Sequence, residues 1–102
     1  MGSPRFVILY RWRLKPGHEQ AFVEAWSSVT QALLARGSRG SRLHRGDDGI
    51  WYAYAQWPSE EARRSAFASS ADHIEASSRM IEAVAEHFPE VVLTIESDFL
   101  VV

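Results

Sequence analysis

The side chains in this chain best suited to chemistry are four histidines, three tyrosines and four tryptophans, with no cysteine beside them. That absence excludes disulfides, thiolate metal sites and a cysteine nucleophile. His18, His44, His73 and His87 include no pair at the spacing by which one helix or strand offers two ligands to a metal, so no metal site is expected. Serines are plentiful, yet no Gly-x-Ser-x-Gly turn presents one as a nucleophile. The run "RGSRGSR", residues 36–42, lacks the strand-to-helix context of a phosphate loop and reads as a solvated connection. What remains is acid–base and aromatic chemistry. His44 is the candidate general base, Tyr10 and Tyr52 are candidate hydroxyl donors, and Trp57, Trp12, Trp26, Trp51 and Phe22 are candidate walls for a flat ligand.

The elements that must hold these residues are readable from period and punctuation. Residues 5–14, "RFVILYRWRL", form a strand with Phe6, Ile8, Tyr10, Trp12 and Leu14 on one face and Val7, Leu9, Arg11 and Arg13 on the other. Pro16 and Gly17 turn the chain. From 18 to 36 the spacing of Phe22, Trp26, Val29 and Leu33 is helical, and Gly37 stands where a left-handed cap closes a helix. A strand over 39–45 joins one over 49–58 through the hairpin turn Asp47-Asp48-Gly49. Pro58 and Ser59 end that strand and cap a short helix through "EEARRSAFA". Asp72 caps the next, whose apolar stripe is Ile74, Ile81, Val84 and Phe88, with Pro89 as its stop; a strand over 91–102 follows. The order is βαββααβ, an α+β, ferredoxin-like arrangement in which a four-stranded antiparallel sheet takes its helices on one face.

The chain of 102 residues is one domain with a single core. A net charge of -2 argues against nucleic acid as the partner. No apolar run is long enough to span a membrane, and a cytoplasmic place is expected. "GIWYAYAQWP", residues 49–58, is apolar on both faces, and with helices on one side the other would show Val7, Leu9, Ile50, Tyr52, Tyr54, Leu100 and Val102. A second copy pressing the same face against it covers such a patch, so a homodimer is expected. Arg11 and Arg13 share that face with Glu96 and Asp98, and the four are expected to pair.

"YRWRLKPGHEQAFVEAW" followed by "SRLHRGDDGIWYAYAQWPSEEA" resembles the antibiotic biosynthesis monooxygenase superfamily over nearly the whole chain. The resemblance implies a dimeric α+β barrel with a ligand between sheet and helices in each subunit, lined by the Trp that closes the third strand, here Trp57. It implies cofactor-independent oxidation of a phenolic or quinol-like small aromatic, and so no cofactor. Haem-degrading members carry an Asn on the first strand; the matching position is Tyr10, and this chain has no Asn at all. Two other readings follow: a non-catalytic homodimer that binds a small molecule or serves as an interaction module, and a haem-binding or haem-degrading protein with His73 as axial ligand.

Overall fold

The computed structural model describes residues 6–68 and 74–101. Asp72, His73 and Val102, expected as helix cap, haem ligand and part of the open face, lie outside the described residues. The strands are β1 (Phe6–Leu14), β2 (Ser41–Arg45), β3 (Trp51–Trp57), β4 (Val84–His87) and β5 (Val91–Thr94); the helices are α1 (Glu19–Leu34), α2 (Glu60–Ala68) and α3 (Ile74–Glu82). The sheet is antiparallel in the order β2-β3-β1-β4, and β5 also pairs with β1. The α+β class and the one-sided helical layer therefore hold, with one change. The position expected for a single last strand is filled by two short ones, placed end to end along β1.

That change comes from the end of α3. The expected helix ran to Phe88; it stops at Glu82. Ala83 donates its N–H to the Met80 carbonyl, and its own carbonyl accepts from the Lys15 N–H at 2.9 Å, which moves the backbone from helical to sheet pairing. Ile74 and Ile81 do lie on α3, but they are 60% and 68% exposed, and the helix packs instead through the smaller Ala76. Val84 and Phe88 belong to the sheet edge, where Phe88 donates its N–H to the Arg11 carbonyl.

Register decides the faces. Leu9 stands opposite Val91 and Tyr54, and Val7 opposite Leu93 and Gln56, so Val91 and Leu93 share the face without helices. The alternate set, Val92 and Thr94, stands opposite Ile8 and Phe6 on the helical side, which reverses the expected facing of the last strand. The expected pairing of Arg11 and Arg13 with Glu96 and Asp98 is not formed. β5 runs antiparallel and ends opposite Phe6, so residues after Thr94 travel away from Arg11 and Arg13. Arg13 pairs with Glu86 at 3.3 Å, and Arg11 Nη2 donates to the Pro89 carbonyl at 3.0 Å.

The local signals behave as their chemistry requires. The chain leaves α1 through Gly37 at φ 111°, with the Ser38 N–H bonded to the Leu33 carbonyl. Ser59 Oγ accepts from the Ala62 N–H at 3.0 Å and caps α2. In the hairpin, Gly46 donates to the Ile50 carbonyl at 2.7 Å, Gly49 takes φ 84°, and Asp48 accepts from the Ile50 N–H and the Tyr52 hydroxyl. Two clusters fill the layer under the helices, one around Trp57 with Val29 and Leu33, the other around Trp12 with Leu14 and Phe22.

Gly46 is the tight point of the hairpin. A methyl group there would press on the Asp48 carboxylate and the Tyr52 ring and come within 2.9 Å of the Ile50 carbonyl oxygen, which the turn's own hydrogen bond fixes. Gly46→Ala should therefore destabilise the fold by about 1–3 kcal/mol in urea denaturation. An unchanged midpoint would show that the turn relaxes freely.

Candidate functional site

A cavity of about 710 Å³ lies between the sheet and the helices. Its floor is Tyr10 and Trp12 from β1 and Ala53, Ala55 and Trp57 from β3; α1 contributes Trp26, Val29 and Leu33, α2 contributes Arg63 and Phe67, and α3 contributes Met80 and Ile81. The space exists because Ala53 and Ala55 separate two tryptophans on the same face of β3, leaving a shallow trough where larger residues would fill the layer. Exposed Phe67 and Ile81 stand at its margin and give access from solvent.

Of the residues expected at a site, Tyr10, Trp12, Trp26 and Trp57 line the cavity. Trp51 and Phe22 lie in the same layer but behind the wall: Phe22 meets Trp12 edge-on at 5.1 Å and Trp51 at 6.2 Å. His44 and Tyr52 are not brought to the cavity. They stand opposite each other across the β2–β3 ladder, on the face turned from the helices, and the Tyr52 hydroxyl donates to Asp48 at 2.6 Å. The register of the hairpin, which sequence leaves open, decides this: Leu43 faces Ala53 on the helical side, so His44 faces away.

Several polar residues that sequence reasoning passed over line the cavity instead, His87, Arg63 and Glu90 among them. His87 stands opposite Trp12 and stacks on it at 6.4 Å with an interplanar angle of 15°. It was hidden inside a segment whose apolar spacing reads as helix. Arg63 sits on α2, where a lone cation in a charged run reads as solvated; its only sequence signal is that Ala66 and Phe67, one turn on, share its side of the helix.

The polar end of the cavity is a small network. Arg63 donates to the Tyr10 hydroxyl from Nε at 3.1 Å and from Nη2 at 2.9 Å, and Nη2 also pairs with Glu90 at 3.0 Å. The guanidinium lies 5.3 Å from the centre of the Phe67 ring and 5.8 Å from that of Tyr10. Burial pushes the Tyr10 hydroxyl above its ordinary range, against the pull of Arg63, so it stays protonated at neutral pH. Burial also works against the Arg63 charge, but the Tyr10 bond and the Glu90 carboxylate more than offset it and raise its pKa. Among the described residues no cluster of three or more His, Asp or Glu could hold a metal ion, and no helix is long and apolar enough to cross a membrane.

The Tyr10 shift carries a stability signature. Its folded-state pKa lies above the unfolded value, so its contribution is intact below about pH 10 and is lost as pH rises through the folded value. Tyr52, raised by its bond to Asp48, is common to parent and variant and cancels in the comparison. Between about pH 9 and pH 12 the Tyr10→Phe protein should lose less stability than the parent, read as the shift of the urea midpoint. Parallel losses would mean that Tyr10 ionises as readily folded as unfolded.

Residues 5–79 match the family model described as antibiotic biosynthesis monooxygenase. No curated protein matches the chain. Among solved structures, the fold is similar to SnoaB, a cofactor-independent oxygenase from Streptomyces nogalater, with a TM-score of 0.77 and 14% identity over 94% of this chain and 97% of that one. It is also similar to Rv0793 from Mycobacterium tuberculosis, at 0.75 and 17% over 94% and 98%. A protein from Bordetella bronchiseptica, provisionally named an antibiotic biosynthesis monooxygenase, matches at 0.73 and 22% over 95% and 100%. With the family model covering about three quarters of its length, this chain belongs to the antibiotic biosynthesis monooxygenase family.

Proposed function

We propose that the protein is a monooxygenase that oxidises a small phenolic or quinol-like aromatic with dioxygen and without a cofactor, in the cavity under its helices. The observation that carries this reading is the cavity itself. Its volume suits a small ligand, and its walls are the rings of Tyr10, Trp12, Trp26 and Trp57 with few polar groups among them. The family and the SnoaB-like fold agree with it.

The chemistry asks little of the protein. An ionised phenol is electron-rich enough to reduce dioxygen: one oxygen atom enters the ring system and the other leaves as water, with all four electrons drawn from the substrate. The site must remove a proton, exclude bulk water and hold the ring still. His87, facing the cavity from β4, is the base in this reading; Tyr10 is the orienting donor and Trp57 and Trp12 are the stacking walls. A cytoplasmic place belongs to the same reading, since nothing in a cysteine-free chain calls for an oxidising compartment.

The chain's lack of asparagine favours one competitor, a dimer that binds the same aromatics without turning them over. Turnover separates the two. Aerobic incubation with a panel of quinols should give oxygenated product, with His87→Ala lowering kcat by about 10². Binding without product in the parent would leave the non-catalytic reading standing, and undiminished turnover in the variant would remove His87 from the mechanism.

The assembly proposed is a homodimer through the sheet face that lacks helices. Leu9, Tyr52 and Tyr54 are only half-buried there, and Val91 and Leu93 are exposed beside them. Sedimentation at micromolar concentration should show a dimer, and Tyr54→Arg, which sets a charge into that face, should shift it to monomer. A folded monomer in the parent would overturn the assembly.

A further inference from the structure

We propose that Arg63 and Tyr10 form an oxyanion subsite at one end of the cavity, which takes the hydroxyl oxygen of an aromatic ligand in its ionised, phenolate form. This rests on the reading of the cavity as a small-aromatic site and goes beyond it by stating which form of the ligand is selected, and by what.

The geometry is that of a donor backed by a cation. Tyr10 Oη accepts two hydrogen bonds from Arg63, which occupies both of its lone pairs; its remaining hydrogen-bonding capacity is to donate its own proton. A hydroxyl whose lone pairs are held by a guanidinium is polarised toward donation, and a bond from it to a charged oxygen is shorter and stronger than one to a neutral oxygen. The bonds to Tyr10 and Glu90 use three of the five Arg63 N–H groups. Among the described residues the two on Nη1 have no hydrogen-bond partner, so they too are open to a ligand oxygen.

The setting strengthens the effect. The Arg63 side chain is only 21% exposed and lies against the Tyr10 and Phe67 rings, so its field reaches the cavity through little water. Glu90, the counter-charge, is the more exposed partner at 39% and is screened by solvent. Both line the cavity, but the cation is the more buried of the two and keeps two N–H groups free of Glu90, so the less screened field at the Tyr10 end is the positive one. Glu86 and His87 are the remaining titratable residues lining the cavity; Glu86 is paired with Arg13, and His87 stands by Trp12, which lies between it and Tyr10 in the stacked row of rings. His87 is thus out of hydrogen-bond reach of an oxygen held by Tyr10, so the subsite takes up a ligand oxygen already ionised, and any proton His87 removes comes from another position of the ligand.

The test uses para-nitrophenol, whose phenolate is coloured, and nitrobenzene, which has the same ring without a hydroxyl. The intact protein should bind the phenolate at least about tenfold more tightly than the neutral phenol, so that the bound probe ionises at least about one pH unit lower than in solution. Arg63→Met should abolish that preference while binding nitrobenzene as the parent does, and Arg63→Lys, which keeps the charge but loses the fork, should restore part of it. A bound probe whose ionisation is unshifted overturns the subsite and leaves the aromatic cavity intact. Equal weakening of both ligands in Arg63→Met also overturns it, since that marks Arg63 as a structural pin for α2. Failure of the parent to bind either ligand overturns the subsite together with the reading of the cavity.

Discussion

The structure depends on how β1 satisfies its backbone on both edges. One edge is met along seven residues by β3; the other is met in relay, by β5 opposite Phe6 to Leu9 and by β4 from Trp12 onward. Between the two lies a gap opposite Tyr10 and Arg11. Pro89, which has no N–H to give, falls in that gap, and its carbonyl is used by the Arg11 side chain instead of by a ladder. The break has a consequence on the helical side. Residue 90 leaves the plane of regular pairing there, and Glu90 meets Arg63, which in turn meets Tyr10. A continuous fourth strand would have closed this edge with one uninterrupted ladder; the interrupted one joins α2, β1 and the β4–β5 link through three side chains.

The cavity reflects a second constraint, the size sequence along β3. Packed interiors leave few voids because lost dispersion contacts are costly, so a space this large must be built in by residue choice. Trp57 and Phe22 are almost completely buried and prop the sheet apart from the helices at two places, while Ala53 and Ala55 leave the span between them unfilled. Rigid rings do both jobs. They carry the core's apolar area, and they keep the trough from collapsing because a flat ring cannot fold into a neighbouring gap as a Met or Leu side chain can.

How much of this was legible in the sequence follows from which signals are local. β1, α1 and the hairpin turn were readable because strand period, helix period and turn glycines act within a few residues of themselves. The trough was also present in the string, as Trp51, Ala53, Ala55 and Trp57 alternate with polar or tyrosine neighbours. β4 was not readable: Ile74, Ile81, Val84 and Phe88 suit a helical stripe, and the switch after Glu82 is driven by Lys15, which is far away in sequence. The facing of His44 turned on hairpin register, and that of the last strand on where β5 stops. Arg63 escaped because its meaning is given by Tyr10 and Glu90, fifty-three residues before it and twenty-seven after it.

At the polar end of the cavity a tyrosine and an arginine stand together, and the pair differs physically from the amide that the family resemblance implies. An amide N–H is a neutral donor whose strength is fixed by its own dipole. A tyrosine hydroxyl alone is similar, and burial keeps its proton in place by raising its pKa. Coupling it to Arg63 adds a charge without adding an acid, because a guanidinium keeps its proton throughout the ordinary pH range. The pair thus provides a directional hydrogen bond and a fixed positive field from one point of the wall. In the subsite proposed, that combination would respond to charge on a ligand's oxygen more steeply than to its shape, leaving shape to the tryptophans.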